Sequence, residues 1–190
     1  MIKILKTTVG DIVDVQSGIH AKAGNQGNLV YIQPSQFDEF GQLKKRLYPN
    51  ISASDIEERH ILREGDVLYA AKGANNFAAE FESHNPQSVA STSFFVLRKK
   101  QNIVSSAFLV WYLNSIEVQR LIKLKAKGTD ILSIRKNDIQ ELEIKIPDEK
   151  TQEIILKVAE LQQKEKQLFQ QIIEKRQLLI NSNILNLLAK

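Results

Sequence analysis

Residues 148–190 read DEKTQEIILKVAELQQKEKQLFQQIIEKRQLLINSNILNLLAK, with no glycine and no proline. Apolar side chains at Ile154, Val158, Leu161, Leu168, Ile172 and Leu179 fall on an alternating four- and three-residue spacing once positions 165 and 175 are counted. This is the rhythm of a heptad seam, interrupted by the charged Glu165 and Lys175. A second apolar line, Phe169, Ile173, Ile180, Ile184 and Leu187, widens the stripe toward the C-terminus. Asp148 is a good N-cap, and its charge suits the positive end of the helix dipole. A single helix here would run about 60 Å at 1.5 Å per residue. That is too long to bury its stripe against the rest of this chain, so the pattern predicts a partner helix, with those six seam residues at the interface. The alternatives are a helix folded back on its own domain or broken near Lys175-Arg176.

Ahead of Asp148 the composition differs. Residues 1–147 read as a mixed α/β domain, so the chain as a whole is predicted to be α+β: a domain over 1–147 and a helix over 148–190. Thr8 to Val15 carries a Gly-Asp turn signal (Gly10-Asp11) among β-branched residues and stops at Ser17-Gly18. His20 to Asn28 reads as loop. Leu29-Val30-Tyr31-Ile32 is a short strand ended by Pro34. A second Gly-Asp turn, Gly65-Asp66, launches a strand from Val67 to Ala71, and further strands are expected over 77–81 and 91–97. Ser105 or Ser106 can cap a helix bearing Phe108, Leu109, Tyr112, Leu113 and Ile116. Val118, Leu121, Ile122 and Leu124 suggest another. Glu141 to Ile146 alternates strictly, which predicts a strand with one charged face.

The bulk properties narrow the function classes. A chain of 190 residues supports one ordinary domain with a buried core. Zero cysteines exclude disulfides and thiolate metal sites. The N-terminus is charged too early for a signal peptide, and no apolar run is long enough for a membrane helix, so the cytoplasm is the expected location. The formal net charge of +4 leans mildly toward an acidic partner. Its distribution says more: Arg120 to Lys136 holds six basic residues (Arg120, Lys123, Lys125, Lys127, Arg135, Lys136) against one acidic, Asp130. Such a run is either a solvated face or an electrostatic footprint.

Signatures of catalysis are missing. His20, His60 and His84 have no ligand spacing, so no metal site is expected. There is no phosphate-cradling glycine loop, no Gly-x-Ser-x-Gly elbow and no thiol. Glu143-Ile144-Lys145 and Pro147-Asp148 contain pieces of a nuclease carboxylate–lysine cluster, but in the wrong order, and Asp148 sits where a helix needs its cap. Asn85-Pro86 is followed by Gln87-Ser88 and lacks the rest of a methyltransferase motif. Trp111 and Tyr112 lie on an apolar helix face, where core packing is expected rather than base stacking. Lys72-Gly73 has two readings: a plain turn, or a backbone that approaches phosphate closely.

Several segments, in order, resemble the specificity subunits of type I restriction–modification systems. They are Val9-Gly10-Asp11-Ile12 with Gly18; Leu62 to Leu68 with Ala71-Lys72-Gly73; and Ala90 to Arg98. After these come Phe108-Leu109 with Tyr112 to Ser115; Gly128-Thr129 with Ile134; and Leu142 to Pro147 leading into Thr151 to Ile155. The resemblance implies a non-catalytic reader of double-stranded DNA. It would serve a methyltransferase (modification) subunit, with a motor–nuclease (restriction) subunit joining the complex, and it implies no cofactor. Members of that family usually hold two recognition domains, each followed by a long helix, and the helices pack antiparallel to space the halves of a split target. One domain and one helix point instead to a homodimer reading an interrupted palindrome. On this reading Lys125, Lys127, Lys136 and Thr129 contact the DNA backbone. Lys22, Asn25 and Gln26 face bases, and Lys72, with its neighbour Gly73, and Arg135 serve either role. The competing readings are a recognition module of a fused restriction enzyme and a coiled-coil adapter that binds no DNA.

Overall fold

Leu29-Val30-Tyr31-Ile32 shows why an uninterrupted apolar run forms a strand here. In a computed structural model Val30–Ile32 is strand β3, and alternation sends its side chains to two different cores. Val30 and Ile32 join one cluster with Phe37, Leu68, Phe77 and Phe94, while Leu29 and Tyr31 join another with Ile51 and Val89. A strand buried on both faces needs no polar alternation. The structure describes all residues except 1–3, 23, 25, 26, 39, 40, 45, 54, 55, 74, 75, 126–133, 189 and 190.

The other elements in chain order are β1 (Ile4–Thr8), α1 (Val9–Ile12), β2 (Val13–Ser17), β4 (Val67–Ala70), β5 (Ala78–Glu80), β6 (Ser88–Ala90) and β7 (Phe94–Lys99). Then come α2 (Ser106–Asn114), α3 (Ile116–Lys125), α4 (Lys136–Gln140), β8 (Glu143–Pro147) and α5 (Glu149–Leu188). β2, β7, β4 and β5 form one antiparallel sheet in that order, β1 pairs antiparallel with β8, and β3 pairs parallel with β6. The chain is thus α+β, with a long C-terminal helix. It divides into two compact units, Met1–Gln152 and Glu153–Lys190.

In the first unit the larger core is centred on three rings. Phe37, Phe77 and Phe94 lie 5.3 to 6.1 Å apart, two of the three contacts edge-on, a favoured aromatic geometry. β5 lies at the sheet edge, where unpaired backbone is a liability. The side chain of Asn114 covers it, accepting from the Ala78 amide at 2.7 Å and donating to the Ala78 carbonyl at 2.9 Å. Trp111 packs on Phe108 with ring centroids 5.3 Å apart, and the Tyr112 hydroxyl donates to the Glu143 carbonyl.

Three aspartates build the same local device. Asp11, Asp66 and Asp138 each accept the backbone amide of the residue three positions earlier: Thr8 at 3.0 Å, Arg63 at 2.8 Å and Arg135 at 3.0 Å. This is the Asx logic of turns and helix starts. Asp66 is 2 % exposed and also takes a two-pronged guanidinium from Arg98, at 2.6 and 2.8 Å. Arg98 donates onward to the Ile61 carbonyl, tying the turn before β4 to β7.

Two local expectations change. The strand expected over 91–97 begins only at Phe94, because Phe94 donates back to the Ser91 carbonyl and closes a turn over Ser91-Thr92-Ser93. The Gly10-Asp11 signal opens the single-turn helix α1 between two strands, rather than a turn beside one. The helix over 149–188 is continuous through Lys175-Arg176. Asp148 accepts the Thr151 amide at 3.0 Å, as an N-cap should.

Candidate nucleic-acid interface

The strand pairings of the four-stranded sheet place three polar segments at one end. β7 starts at Phe94 and runs antiparallel to both β2 and β4, so the ends of β2 and β4 flank its start. Gly18, just past β2, donates to the Phe94 carbonyl at 3.0 Å; Ala71, just past β4, donates to the Ser93 carbonyl at 2.9 Å. The loop carrying Lys22 therefore leaves the sheet at the same end as the Lys72-Gly73 turn. The third segment joins through Ile134, which donates its amide to the Ala71 carbonyl at 3.1 Å and buries its side chain. That bond sets Arg135 and Lys136 beside Lys72 along the backbone. In the sequence these residues lie in three distant segments, and nothing there relates them in space.

Each segment is held by its own chemistry. Gly18 sits so close to the turn after β6 that a Cβ would lie 2.1 Å from the Ser91 carbonyl oxygen. After Gly18, the Tyr31 hydroxyl donates to the Ile19 carbonyl at 3.0 Å and accepts from the Ala21 amide. Lys22 is exposed and lies on a groove of about 470 Å³ with His20, Ser52, Glu57 and His60. The groove has both donors and acceptors, and its two histidines carry no sequence signal beyond their poor metal-ligand spacing. At the next segment, the Asn76 side chain donates to the Ala70 carbonyl at 2.8 Å. Gly73 has φ +125 with nothing within 4 Å of a would-be Cβ, so glycine is required there for its backbone angle, not for space.

The basic residues differ in how free their charge is. Arg135 closes on Asp138 with contacts of 3.0 and 2.7 Å while its own amide is held by the same carboxylate. That hydrogen bonding keeps the Asp138 carboxyl below its ordinary value and raises the Arg135 guanidinium. Lys125, at the end of α3, is 3.5 Å from Glu141. Lys72 and Lys136 are exposed and, among the described residues, make no ion pair. Asn25, Gln26, Lys127 and Thr129 lie outside the described residues. The arrangement offers a polyanion three lysines without an ion pair among the described residues (Lys22, Lys72 and Lys136), a guanidinium whose orientation is fixed, and backbone that can approach closely at Gly73.

In the second unit, Ile154, Val158, Leu161, Leu168, Ile172 and Leu179 are all between 51 and 62 % exposed along α5. A shallow groove of about 390 Å³ runs between Leu161, Lys164, Glu165, Leu168, Phe169 and Ile172.

Residues 6–178 match the family model described as the Type I restriction modification DNA specificity domain. Among solved structures, the chain is similar to one from a study of complex assembly and conformational transition of the type I R-M system, at 18% identity and TM-score 0.62. That match covers 85% of this chain and 38% of the other. It is similar to the HsdS subunit from Thermoanaerobacter tengcongensis, at 20% identity and TM-score 0.61, covering 85% and 38%. It is also similar to the type I restriction-modification S subunit from M. genitalium, at 18% identity and TM-score 0.55, covering 84% and 39%. The chain thus spans less than half the length of each of these structures. No curated protein matches it.

Proposed function

The chain belongs to the family of type I restriction modification DNA specificity domains, and from that premise we propose that it is a non-catalytic, single-domain reader of one half of a split double-stranded DNA target. The observation that carries this is the convergence of the Lys22 loop, the Lys72-Gly73 turn and the Ile134–Lys136 segment on one end of a single sheet. Phosphate contacts supply most of the affinity and fix the register, while side chains at base edges supply the sequence information. Lys125, Lys127, Lys136 and Thr129 take the first role and Lys22, Asn25 and Gln26 the second. Lys72, Gly73 and Arg135 stand where either is possible. Arg135 is already oriented by Asp138, which suits a bidentate contact to guanine better than a free side chain would.

In this reading the chain works as a homodimer. Two copies pair through the seam of α5, each domain reads an identical half-site, and the target is an interrupted palindrome. The dimer delivers a modification methyltransferase subunit to that target, with a restriction motor–nuclease subunit joining the complex. A cytoplasmic location suits a partner of DNA, and no described helix is long and apolar enough to cross a membrane.

The test is reconstitution with the cognate methyltransferase subunit on a randomised DNA library, followed by mapping of the methylated adenines. The expected result is methylation at one interrupted palindrome. Methylation without sequence preference, or no retention on DNA at modest salt, would replace this reading with the adapter.

A further inference from the structure

The seam of α5 contains two charged residues, and their positions are informative. The four-three rhythm places Ile154, Leu161, Leu168, Lys175 and Ser182 at one core position of the heptad. Val158, Glu165, Ile172, Leu179 and Asn186 occupy the other. Glu165 lies between Leu161 and Leu168 on the stripe, and Lys175 between Ile172 and Leu179. The side-chain pairs described within the helix, Lys157–Glu160, Gln170–Glu174 and Gln177–Asn181, all lie off the seam. Neither seam charge has an ion-pair partner among the described residues of its own helix.

We propose that two copies of the chain pair antiparallel in one register, centred on Gln170, in which Glu165 of each copy faces Lys175 of the other. The inference rests on the homodimer reading above and adds its geometry. In any parallel pairing like core positions stack on like. Glu165 would then meet Glu165 and Lys175 meet Lys175 in the symmetric dimer, and because the two occupy different core positions they could never share a layer. Antiparallel pairing alternates the two core positions. With the centre at Gln170, Leu168 faces Ile172, Glu165 faces Lys175, Leu161 faces Leu179, Val158 faces Ser182 and Ile154 faces Asn186. Two-fold symmetry makes every layer occur twice. The groove beside Glu165 and Leu168 receives Lys175 and Ile172 of the second copy.

The neighbouring in-phase registers are worse for a definite reason. A slip of one heptad sets Lys175 against Val158 and Glu165 against Leu168; the opposite slip sets Lys175 against Ile172 and Glu165 against Ser182. Each buries an ammonium against aliphatic carbon without an acid, which is costly. The centred register also overlaps residues 152–188, nearly all of α5. The two charges therefore act less as adhesive than as a lock on alignment, a role polar core residues have in coiled coils. That alignment fixes a distance. Residue 152 of the two copies would stand about 54 Å apart along the axis at 1.5 Å per residue. A one-heptad slip would alter this by about 10 Å, or about three base pairs at 3.4 Å each. The Glu165–Lys175 layer would set the spacing between half-sites.

The absence of cysteine makes single thiols clean reporters in the full chain. Gln171→Cys lies next to the two-fold axis and should be bridged to its copy by a short bis-maleimide. Ser182→Cys, about 36 Å from its own copy along the axis, should not be. In sedimentation equilibrium, Glu165→Lys and Lys175→Glu should each weaken the dimer about ten- to a hundredfold. The double variant should return to within about threefold of the native constant. Bridging at both thiols, or a double variant no tighter than either single one, overturns the register while leaving a dimer in place. A native chain that stays monomeric at concentrations where it binds DNA overturns the dimer reading itself, and the register with it.

Discussion

Ile134 donates its amide to the Ala71 carbonyl at 3.1 Å, joining the segment before α4 to the end of β4. The two residues are 63 positions apart in the sequence. Their bond makes neighbours of basic residues from two distant segments: Lys72 follows Ala71, and Arg135 and Lys136 follow Ile134. The side chain of Ile134 is buried, so the segment is anchored by apolar packing as well as by the bond.

Lys72 and Lys136, brought together by that bond, are exposed and have no acidic partner among the described residues, so their removal should be felt by DNA. Lys72→Ala with Lys136→Ala is expected to weaken binding to all sequences alike. The slope of log affinity against log salt should flatten by about one for each phosphate that is no longer neutralised. Lys125→Ala should do less, because Lys125 already shares its charge with Glu141 at 3.5 Å. Fluorescence anisotropy over a salt series measures both; an unchanged slope in the double variant would take these lysines out of the interface.

Much of the fold is legible in the sequence because its signals are local. The seam from Ile154 to Leu179 announces α5, Ser105 announces α2, and the strict alternation to Ile146 announces β8. β1 carries no such mark: Ile4 and Leu5 are about half exposed, and the strand exists only through pairing with β8, far along the chain. α4 is equally silent, because five residues with one apolar member carry no period. A signal is present in the spacing of Thr8–Asp11, Arg63–Asp66 and Arg135–Asp138, which marks the starts of α1, β4 and α4. Charge is enough to propose the site's residues, but their meeting at one sheet end depends on the Phe94, Ser93 and Ala71 carbonyls, which no sequence pattern marks.

Asp66 and Arg98 form a largely buried pair, with the aspartate 2 % exposed. Arg98→Met leaves that carboxylate in the core without its cation. The expected cost is about 3–5 kcal/mol of unfolding free energy, as for other broken buried pairs. Urea unfolding measures it; a loss below about 1 kcal/mol would mean that the Arg63 amide alone satisfies Asp66.

Gly18→Ala puts a methyl group 2.1 Å from the Ser91 carbonyl oxygen, a backbone atom that cannot rotate away. The bridge between Ile19 and Ser91 should open. A lower melting temperature is expected, together with weaker DNA binding, since the Lys22 loop starts there. A variant with native melting and native affinity would contradict the close approach.

Acid sensitivity should trace partly to Asp138. Its carboxyl is held below the ordinary value, chiefly by hydrogen bonding from Arg135. A lowered folded-state value means the stabilisation is fully present above the ordinary carboxylate range and is lost as pH falls through the lowered value. Asp138→Asn should reduce stability at neutral pH and flatten the fall on the acid side. Melting temperature against pH for the two proteins reads this directly, and parallel curves would show that Asp138 contributes nothing to it.

Gln152 provides the sharpest test of how the start of α5 is fastened. It is 4 % exposed, and its amide is fully used: it accepts from the Ser105 backbone at 3.0 Å and donates to the Ile103 and Pro147 carbonyls, each at 3.0 Å. One side chain thus fastens the N-cap of α2 and the end of β8 to the first turn of α5. Gln152→Glu has nearly the same shape but, ionised, has no donor to offer and sets a negative charge against two carbonyl oxygens. A destabilisation of about 1–3 kcal/mol is expected at neutral pH from the polar groups left unpaired. Burial and the facing carbonyls favour the neutral acid, so its folded-state pKa rises above the unfolded one. Stability should therefore recover as pH falls, because the protonated acid regains one donor, and decline as pH rises through the raised value. Gln152→Leu should be destabilised too, but without that acid-side recovery. Two variants with the same pH profile would show that only the volume of residue 152 matters, and that its three hydrogen bonds do not hold the helix start in place.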